Sequence, residues 1–264
     1  MKMPPNTLRV VYSAFRMAML HWFADPQWVI PNIIAPFVFT VVALTLFKQE
    51  VGGSFALYAI LGGGMMGMWG NTLYSSGFAI EFEKWQGTLE EVLAAPSNLM
   101  YVIAGRSVSN AVFGLTNMVA ILLIATLGFG VPLDIANPIL FTLSLILTLL
   151  SVSTLGLIFA SAFVLSRSAQ VLTNGLETPI YIISGSMFPV MLLPFWVHPA
   201  SYILGPTWGI DAIRIAAGQK GYLFDFWSDV GIMVLITLVY VAIATALFKL
   251  VERKVRREGT LVEA

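Results

Sequence analysis

The sequence contains no cysteine and little charge, and both features exclude whole classes of protein. None of its 264 residues is cysteine and only two are histidine, so a disulfide framework, a thiolate metal site and a multi-histidine metal site are all excluded. Charged residues make up 11% of the chain, whereas soluble domains carry about 25%. The net charge is zero, which leaves no basic field to hold a nucleic acid. We therefore expect neither a soluble enzyme nor a nucleic-acid-binding protein.

The few charged residues are spaced far apart, and the stretches between them are apolar. Six gaps between consecutive charged residues hold 22, 30, 27, 32, 33 and 19 residues. A membrane-spanning helix needs about 20 apolar residues, and in lipid a helix satisfies its own backbone hydrogen bonds. The sequence therefore predicts an all-α integral membrane protein with six transmembrane helices, near residues 28–47, 55–79, 107–129, 139–164, 171–190 and 230–250.

The distribution of lysine and arginine predicts the orientation of the chain. Six spans place both termini on one side, and the segments on that side hold 11 of the 14 basic residues; the opposite side holds Lys48, Arg214 and Lys220. Basic residues are enriched in cytoplasmic loops. We therefore expect a multi-pass protein of the cell (plasma) membrane with both termini in the cytoplasm.

The two ends of the chain are expected to meet membrane lipid. Between Leu8 and Phe23 the apolar residues recur at helical spacing, while Arg9 and Arg16 fall on another face. This pattern is typical of an amphipathic helix lying on the cytoplasmic membrane surface. The basic segment Glu252–Glu258 is expected to meet anionic headgroups.

A broken apolar segment separates the fifth and sixth predicted spans. It runs from about Met191 to Ser228 and contains Pro194, Pro199 and Pro206. Prolines at these intervals prevent one continuous helix. Irregular backbone at membrane depth is tolerated where protein buries it, so the segment predicts short re-entrant or interfacial helices.

The loop between the second and third spans carries its own helix signals. In 81–96, EFEKWQGTLEEVLAAP, Gly87 can supply a sharp turn, and Thr88 stands three residues before Glu91, the spacing of a capping box. Pro96 stops the helix. One face of this short cytoplasmic helix is apolar, formed by Leu89, Val92 and Leu93. That face predicts either docking on a partner protein or contact with the membrane surface, and the residues alone favour neither.

Three motifs together resemble a known family. The segment 81–96 resembles the signature of type-2 ABC exporter permeases, the ABC-2 family, at the same place between spans two and three. The runs Ser-Gly-Ser-Met-Phe-Pro at 184–189 and Leu-Pro-Phe-Trp at 193–196 are similar to the family's motif at the outer end of the fifth span. Gly-Pro-Thr-Trp at 205–208, followed by Arg214, is similar to a third family motif. Asp211 stands where the family usually has glutamate.

The resemblance implies a function for the whole chain. Residues 1–264 would form a single transmembrane permease domain that pairs with a second permease chain, as a homodimer, and with two cytoplasmic ATP-binding subunits. The helix after span two would be the coupling helix that docks on the ATPase. The implied coupling residues are Glu81, Glu83, Gly87, Thr88, Leu89, Glu90, Glu91, Val92, Leu93 and Pro96. The implied outer re-entrant motif comprises Ser184, Gly185, Phe188, Pro189 and Pro194.

The sequence has no phosphate-binding G-x-x-x-x-G-K-[ST] motif. We therefore expect the chain itself not to be an enzyme and to bind no cofactor, with ATP and magnesium held on the partner subunit. An intramembrane serine protease would have to use Ser186 and His198, the one pair available for such a dyad.

Glu177 is an ionisable residue within the fifth predicted span, with Asn174 three residues earlier. Such residues are costly in lipid and often functional, so both are candidates for the transport path. Two alternatives stay open. One is a structural role, in which Glu177 pairs with a polar group or lies near the headgroups; the other makes Glu177 the proton site of a secondary transporter driven by an ion gradient.

Overall fold

The computed structural model is mainly helical in its described part, which contains no β-strand. The described residues are 7–24, 34, 37–42, 44–45, 53–72, 87, 99–130, 135–164, 169–186, 189–218 and 223–258. Eight α-helices and one short 3₁₀ helix have both ends within the described residues. The α-helices are α1 (Thr7–Ala24), α2 (Gly53–Asn71), α3 (Leu99–Phe129), α4 (Pro138–Val164), α5 (Ala169–Ile183), α6 (His198–Ile203), α7 (Gly205–Ala216) and α8 (Leu223–Glu258).

Three of the described helices are long and apolar enough to cross a membrane: Leu99–Phe129, Pro138–Ala162 and Leu223–Val251. They coincide with the third, fourth and sixth predicted spans. The all-α class is thereby confirmed, three of the predicted spans match candidate membrane helices, and the count of six stays a prediction. The helices α3 and α8 begin before the predicted spans because Arg106 and Asp229 end the uncharged runs without ending the helices.

The second predicted span coincides with α2, whose described part ends before residue 79. Glycines let α2 and α3 approach closely. A Cβ on Gly67 would lie 3.0 Å from Cβ of Asn117, and one on Gly114 would lie 2.6 Å from Cα of Met68. Small residues of α2 therefore pack against α3 of the same chain. Of the first predicted span the structure describes residues 34, 37–42 and 44–45, all helical.

The fifth predicted span, 171–190, is wrong at its C-terminal end. The helix α5 ends at Ile183, and a turn over Ser184–Ser186 follows. Gly185 has φ +77°, a left-handed conformation that glycine adopts without a Cβ clash and that commonly terminates helices. The uncharged run continues past this turn, so counting apolar residues could not detect the end of the helix.

The segment after α5 forms short helices, as its prolines predicted. The 3₁₀ helix Val190–Leu192 and α6 are largely exposed, whereas α7 is buried between α2, α4 and α8. Ile210 and Ile213 of α7 are each 1% exposed and lie in the largest apolar cluster. Pro206 opens α7, where its missing N–H costs nothing, and Gly218 with φ +96° follows its end. The interior of the bundle is therefore built around a helix of 12 residues.

The amphipathic helix predicted near the N-terminus is α1. It crosses α3 at Gly105, where an added Cβ would lie 2.8 Å from Cβ of Ala14. Leu8 and Tyr12 remain exposed on the same helix as the exposed Arg9 and Arg16. The structure has a helix at these residues, and its role as an interfacial helix on the cytoplasmic membrane surface stays a prediction.

Candidate functional site

The candidate site is the buried turn that ends α5. Ser184 and Ser186 are 0% and 1% exposed, and their hydroxyl oxygens lie 2.8 Å apart, within hydrogen-bond distance. The backbone N–H of Ser184 donates to the carbonyl of Ile180, and that of Gly185 donates to Ile182. Several polar groups are thus gathered at one buried turn, and their burial demands a hydrogen-bond partner for each of them.

Arg214 of α7 supplies one of those partners. Its Nη2 donates a hydrogen bond of 2.9 Å to the carbonyl oxygen of Gly185, and the residue is 6% exposed. The carbonyls at a helix C-terminus carry partial negative charge and attract a cation. The guanidinium of α7 therefore caps the end of α5, and a hydrogen bond to a charged donor contributes about 1.5–3 kcal/mol.

Asp211 lies one turn earlier on α7 and is the second partner of Arg214. Its Oδ1 is 3.5 Å from Nη1, and the two side chains differ sharply in exposure, 48% for Asp211 and 7% for Arg214. Partial burial raises the pKa of the Asp211 carboxyl, and the guanidinium beside it opposes that shift. The pair thus connects a buried cation to a carboxylate that is half-exposed on the surface of the chain.

The other side of the turn rests on α2. A Cβ on Gly62 would overlap the carbonyl oxygen of Ser186, so only glycine allows this approach. Together with the bond from Arg214, the contact holds the turn between α2 and α7. We call the group Gly62, Ser184, Gly185, Ser186 and Arg214 the clasp.

A second polar junction positions the start of α7. The hydroxyl of Tyr240 in α8 accepts a 3.1 Å hydrogen bond from the N–H of Gly205 and donates one of 2.6 Å to the carbonyl of Ile203. On α4, the hydroxyls of Ser151 and Thr148 occupy the space where side chains on Gly205 and Gly209 would lie. Sequence reasoning missed this junction, although two glycines four residues apart in α7 were a visible signal of close helix packing.

Comparison with known proteins decides the family. The family described as the ABC-2 type transporter matches residues 9–217 of the chain. This chain belongs to the ABC-2 family. The matched residues include all five residues of the clasp, and the match confirms the resemblance seen in the motifs. The ABC-2 domain is the membrane (permease) component of an ABC transporter and not its ATPase.

A curated relative is similar over part of the ABC-2 chain. It is ABC transporter G family member 20 of Dictyostelium discoideum, 26% identical over 165 residues, which cover 61% of this chain and 22% of the relative. The chain therefore matches about a fifth of that protein's length.

The outer motif predicted from the ABC-2 resemblance divides into two parts. Ser184 and Gly185 belong to the clasp. The carbonyls of Pro189 and Pro194 each accept a hydrogen bond from the backbone N–H of the residue three positions later, so each proline begins a turn. Phe188 lies outside the described residues. The structure thus brings the second and third family motifs together through Gly185 and Arg214.

The pair Ser186 and His198 has no dyad geometry. The Ser186 hydroxyl pairs with Ser184, and Nε2 of His198 lies 3.0 Å from the carbonyl oxygen of Leu193. His198 also stacks edge-on with Tyr202 at 6.1 Å. These contacts orient each side chain toward a different partner and give no support to a protease mechanism.

Glu177 has a partner on its own helix. The hydroxyl of Tyr181, one turn later on α5, donates a 2.7 Å hydrogen bond to its Oε1. Glu177 is half-buried, next to the exposed Thr178 and Pro179. The side chain of Asn174 lies outside the described residues, so its place in a transport path stays a prediction.

The predicted coupling segment lies outside the described residues except for Gly87. That glycine is exposed, stands in a turn and has φ +71°. Left-handed backbone is the conformation for which glycine is preferred in sharp turns. The helix over Thr88–Ala95 and its role stay predictions.

Proposed function

We propose that this chain is the membrane subunit of an ATP-driven exporter of the plasma membrane. Two copies form the substrate path, and each couples to a separate ATP-binding subunit through the helix after the second span. The observation that carries the proposal is the ABC-2 family match over residues 9–217, which contains the coupling segment and the clasp motifs. The absence of a phosphate-binding motif from these residues supports a proposal in which ATP is hydrolysed on a partner ATP-binding subunit.

The packing of α7 supports a path that opens between helices. Because α7 is buried against α2, α4 and α8, any movement of α2 or α8 is transmitted to it. Packed cores have discrete alternative arrangements and do not deform continuously. A movement started at the coupling helix, which lies between α2 and α3 in the chain, can thereby reach the far end of α5.

Export is tested by reconstitution. The tagged chain is purified from its native membrane, and co-purifying chains are labelled with a photoreactive ATP analogue. We expect one labelled partner and ATP-dependent loss of lipid or amphipathic cargo from vesicles containing both chains. Purification with no ATP-binding chain, and transport driven by a proton gradient instead, would overturn the proposal.

The alternative, a secondary transporter that uses Glu177, makes a separate prediction. Glu177→Gln keeps an acceptor for Tyr181 and removes the charge. If Glu177 lines a polar path in the exporter, we expect reduced ATP-dependent export at normal membrane levels. If it is the proton site of a gradient-driven carrier, proton coupling disappears and ATP has no effect. Unchanged export would assign Glu177 a structural role, and Tyr181→Phe tests the same bond from its other end.

A further inference from the structure

We propose that Arg214 is the positioning residue of a gate at the C-terminal end of α5. Its guanidinium holds the Ser184–Ser186 turn against α7 while this region is dry and releases the turn when the path opens to water. The inference rests on the proposed export function and names the place where the path would be closed.

The contacts of the clasp define the closed arrangement. Nη2 of Arg214 lies 2.9 Å from the carbonyl oxygen of Gly185, and Gly62 of α2 permits close approach of the Ser186 carbonyl. Three helices that are separated in the chain, α2, α5 and α7, are therefore joined at one buried turn. No side chain other than arginine combines this reach with several donors in a fixed plane.

The second arrangement uses a partner that is already in place. Nη1 of Arg214 lies 3.5 Å from Oδ1 of Asp211, whose side chain is 48% exposed while that of Arg214 is 7% exposed. When the guanidinium leaves Gly185, it can stay beside Asp211 and take up water. The cation then keeps a counter-charge in both arrangements, so opening does not strand an unpaired buried charge.

The strength of the clasp depends on whether the turn is dry. A charge-assisted hydrogen bond is strong in a low-dielectric interior and weak once water competes for both groups. Water that enters beside Ser184 and Ser186 therefore weakens the bond that excludes it. This feedback favours two states, closed and dry or open and wet, over intermediate ones.

In the described part of the chain, the helix that the clasp holds is packed on one side and exposed on the other. Ile180 and Tyr181 of α5 are buried against α2, α4 and α8, whereas Gly175, Thr178 and Pro179 are exposed. Pro179 also interrupts the hydrogen bonding of α5. The end of α5 can therefore pivot on its apolar side once the hydrogen bond from Arg214 to Gly185 is broken.

The test measures access to the turn, and the chain suits it because it has no cysteine of its own. Ser186→Cys is introduced alone, with Arg214→Met, and with Arg214→Lys, in the full chain in nanodiscs with its co-purifying subunit. The readout is the rate of labelling by a hydrophilic maleimide. Losing a hydrogen bond to a charged group should speed labelling by about ten-fold or more, and Arg214→Lys, which keeps the charge, should restore part of the protection.

A matched control separates the gate from general loosening of the bundle. Ser144→Cys replaces another fully buried serine, on α4, and its labelling should not respond to Arg214→Met. Equal acceleration at both positions would show that Arg214 only stabilises the fold. No acceleration at Ser186→Cys would show that the clasp does not hold the turn closed. Either outcome overturns the proposal.

The last part of the experiment compares labelling with and without nucleotide. With native Arg214, ATP trapped by vanadate should raise labelling of Ser186→Cys, and in Arg214→Met the labelling should be high with or without nucleotide. If labelling of Ser186→Cys with native Arg214 does not change with nucleotide, the proposed gate is overturned. The comparison of Arg214 variants without nucleotide needs no ATP, so it stands even if the export function fails.

Discussion

Two glycines and one tyrosine determine how α7 sits in the bundle. Gly205 and Gly209 bring its backbone against hydroxyl groups of α4, and Tyr240 of α8 satisfies the N–H of Gly205 and the carbonyl of Ile203. Inside the helix bundle, water is not available as an alternative hydrogen-bond partner for these backbone groups. A few small or polar side chains therefore decide the position of a helix whose other contacts are non-directional.

Tyr240→Phe removes one hydroxyl and leaves the buried N–H of Gly205 and the partly buried carbonyl of Ile203 without this partner. We expect a loss of about 1–3 kcal/mol in the stability of the chain, seen as a lower thermal unfolding midpoint in detergent. Tyr202→Phe is the control, because the structure shows Tyr202 making ring contacts with His198 and Trp208 that phenylalanine retains. Equal midpoints for the two variants would contradict the role given to the Tyr240 hydroxyl.

Gly62→Ala places a methyl group against the carbonyl oxygen of Ser186. Because a backbone atom is in the way, we expect overpacking to cost about 1–3 kcal/mol, and the displaced turn should make Ser186→Cys react faster with maleimide. Gly231→Ala in α8 meets no atom within 4 Å and should gain up to about 1 kcal/mol in helix propensity. A Gly62→Ala variant as stable as Gly231→Ala would mean that α2 and the turn are not in close contact.

Among the helices, length and burial separate those that span from those that do not. The 31 residues of α3 and the 36 of α8 exceed a bilayer's thickness and expose apolar residues such as Leu127 and Leu238. The 12 residues of α7 are too short to cross, yet they are more fully buried. A short helix inside the bundle can respond to neighbours on every side, which a lipid-facing helix cannot do.

The short helix predicted over Thr88–Ala95 is the element on which coupling depends. Thr88→Ala removes a helix cap, at a cost of about 1 kcal/mol, and we expect it to weaken coupling. Leu89→Asp places a charge in the apolar face and should abolish binding of the ATP-binding subunit. The measurements are pull-down of that subunit and ATP-dependent export, with insertion and dimer formation unchanged. Full binding by Leu89→Asp would leave this helix as a membrane-surface element.

The molecule as a whole has an asymmetric distribution of basic residues, which predicts its orientation. Eleven of 14 Lys and Arg residues lie on the side of the termini when the chain crosses six times. We expect a tag after Ala264 and a probe in the loop 80–106 to be cytoplasmic, and a probe near Lys220 to be external. Single cysteines in the cysteine-free chain, labelled in intact cells and in inverted vesicles, check this. Labelling near Lys220 only from the cytoplasm would reverse the orientation.

Composition and motifs were sufficient to identify the class and family of this protein. Low charge, long apolar runs and the segments 81–96, 184–189 and 205–208 are local properties, so they can be read without knowing which residues touch. The helical membrane class and the ABC-2 membership predicted from them are confirmed. The same local reading placed the end of the fifth span wrongly, because apolarity does not distinguish a helix from the turn that follows it.

Only the tertiary structure decided which of these segments act together. Gly185 and Arg214 are 29 residues apart in the chain and 2.9 Å apart in space, and Tyr240 meets Ile203 across 37 residues. Pairings of this kind depend on how helices cross and how closely glycines let them approach. The spacing of residues within one helix does not predict these contacts between helices. The clasp between α5 and α7 therefore had to be seen in the fold, although every residue in it is visible in the sequence.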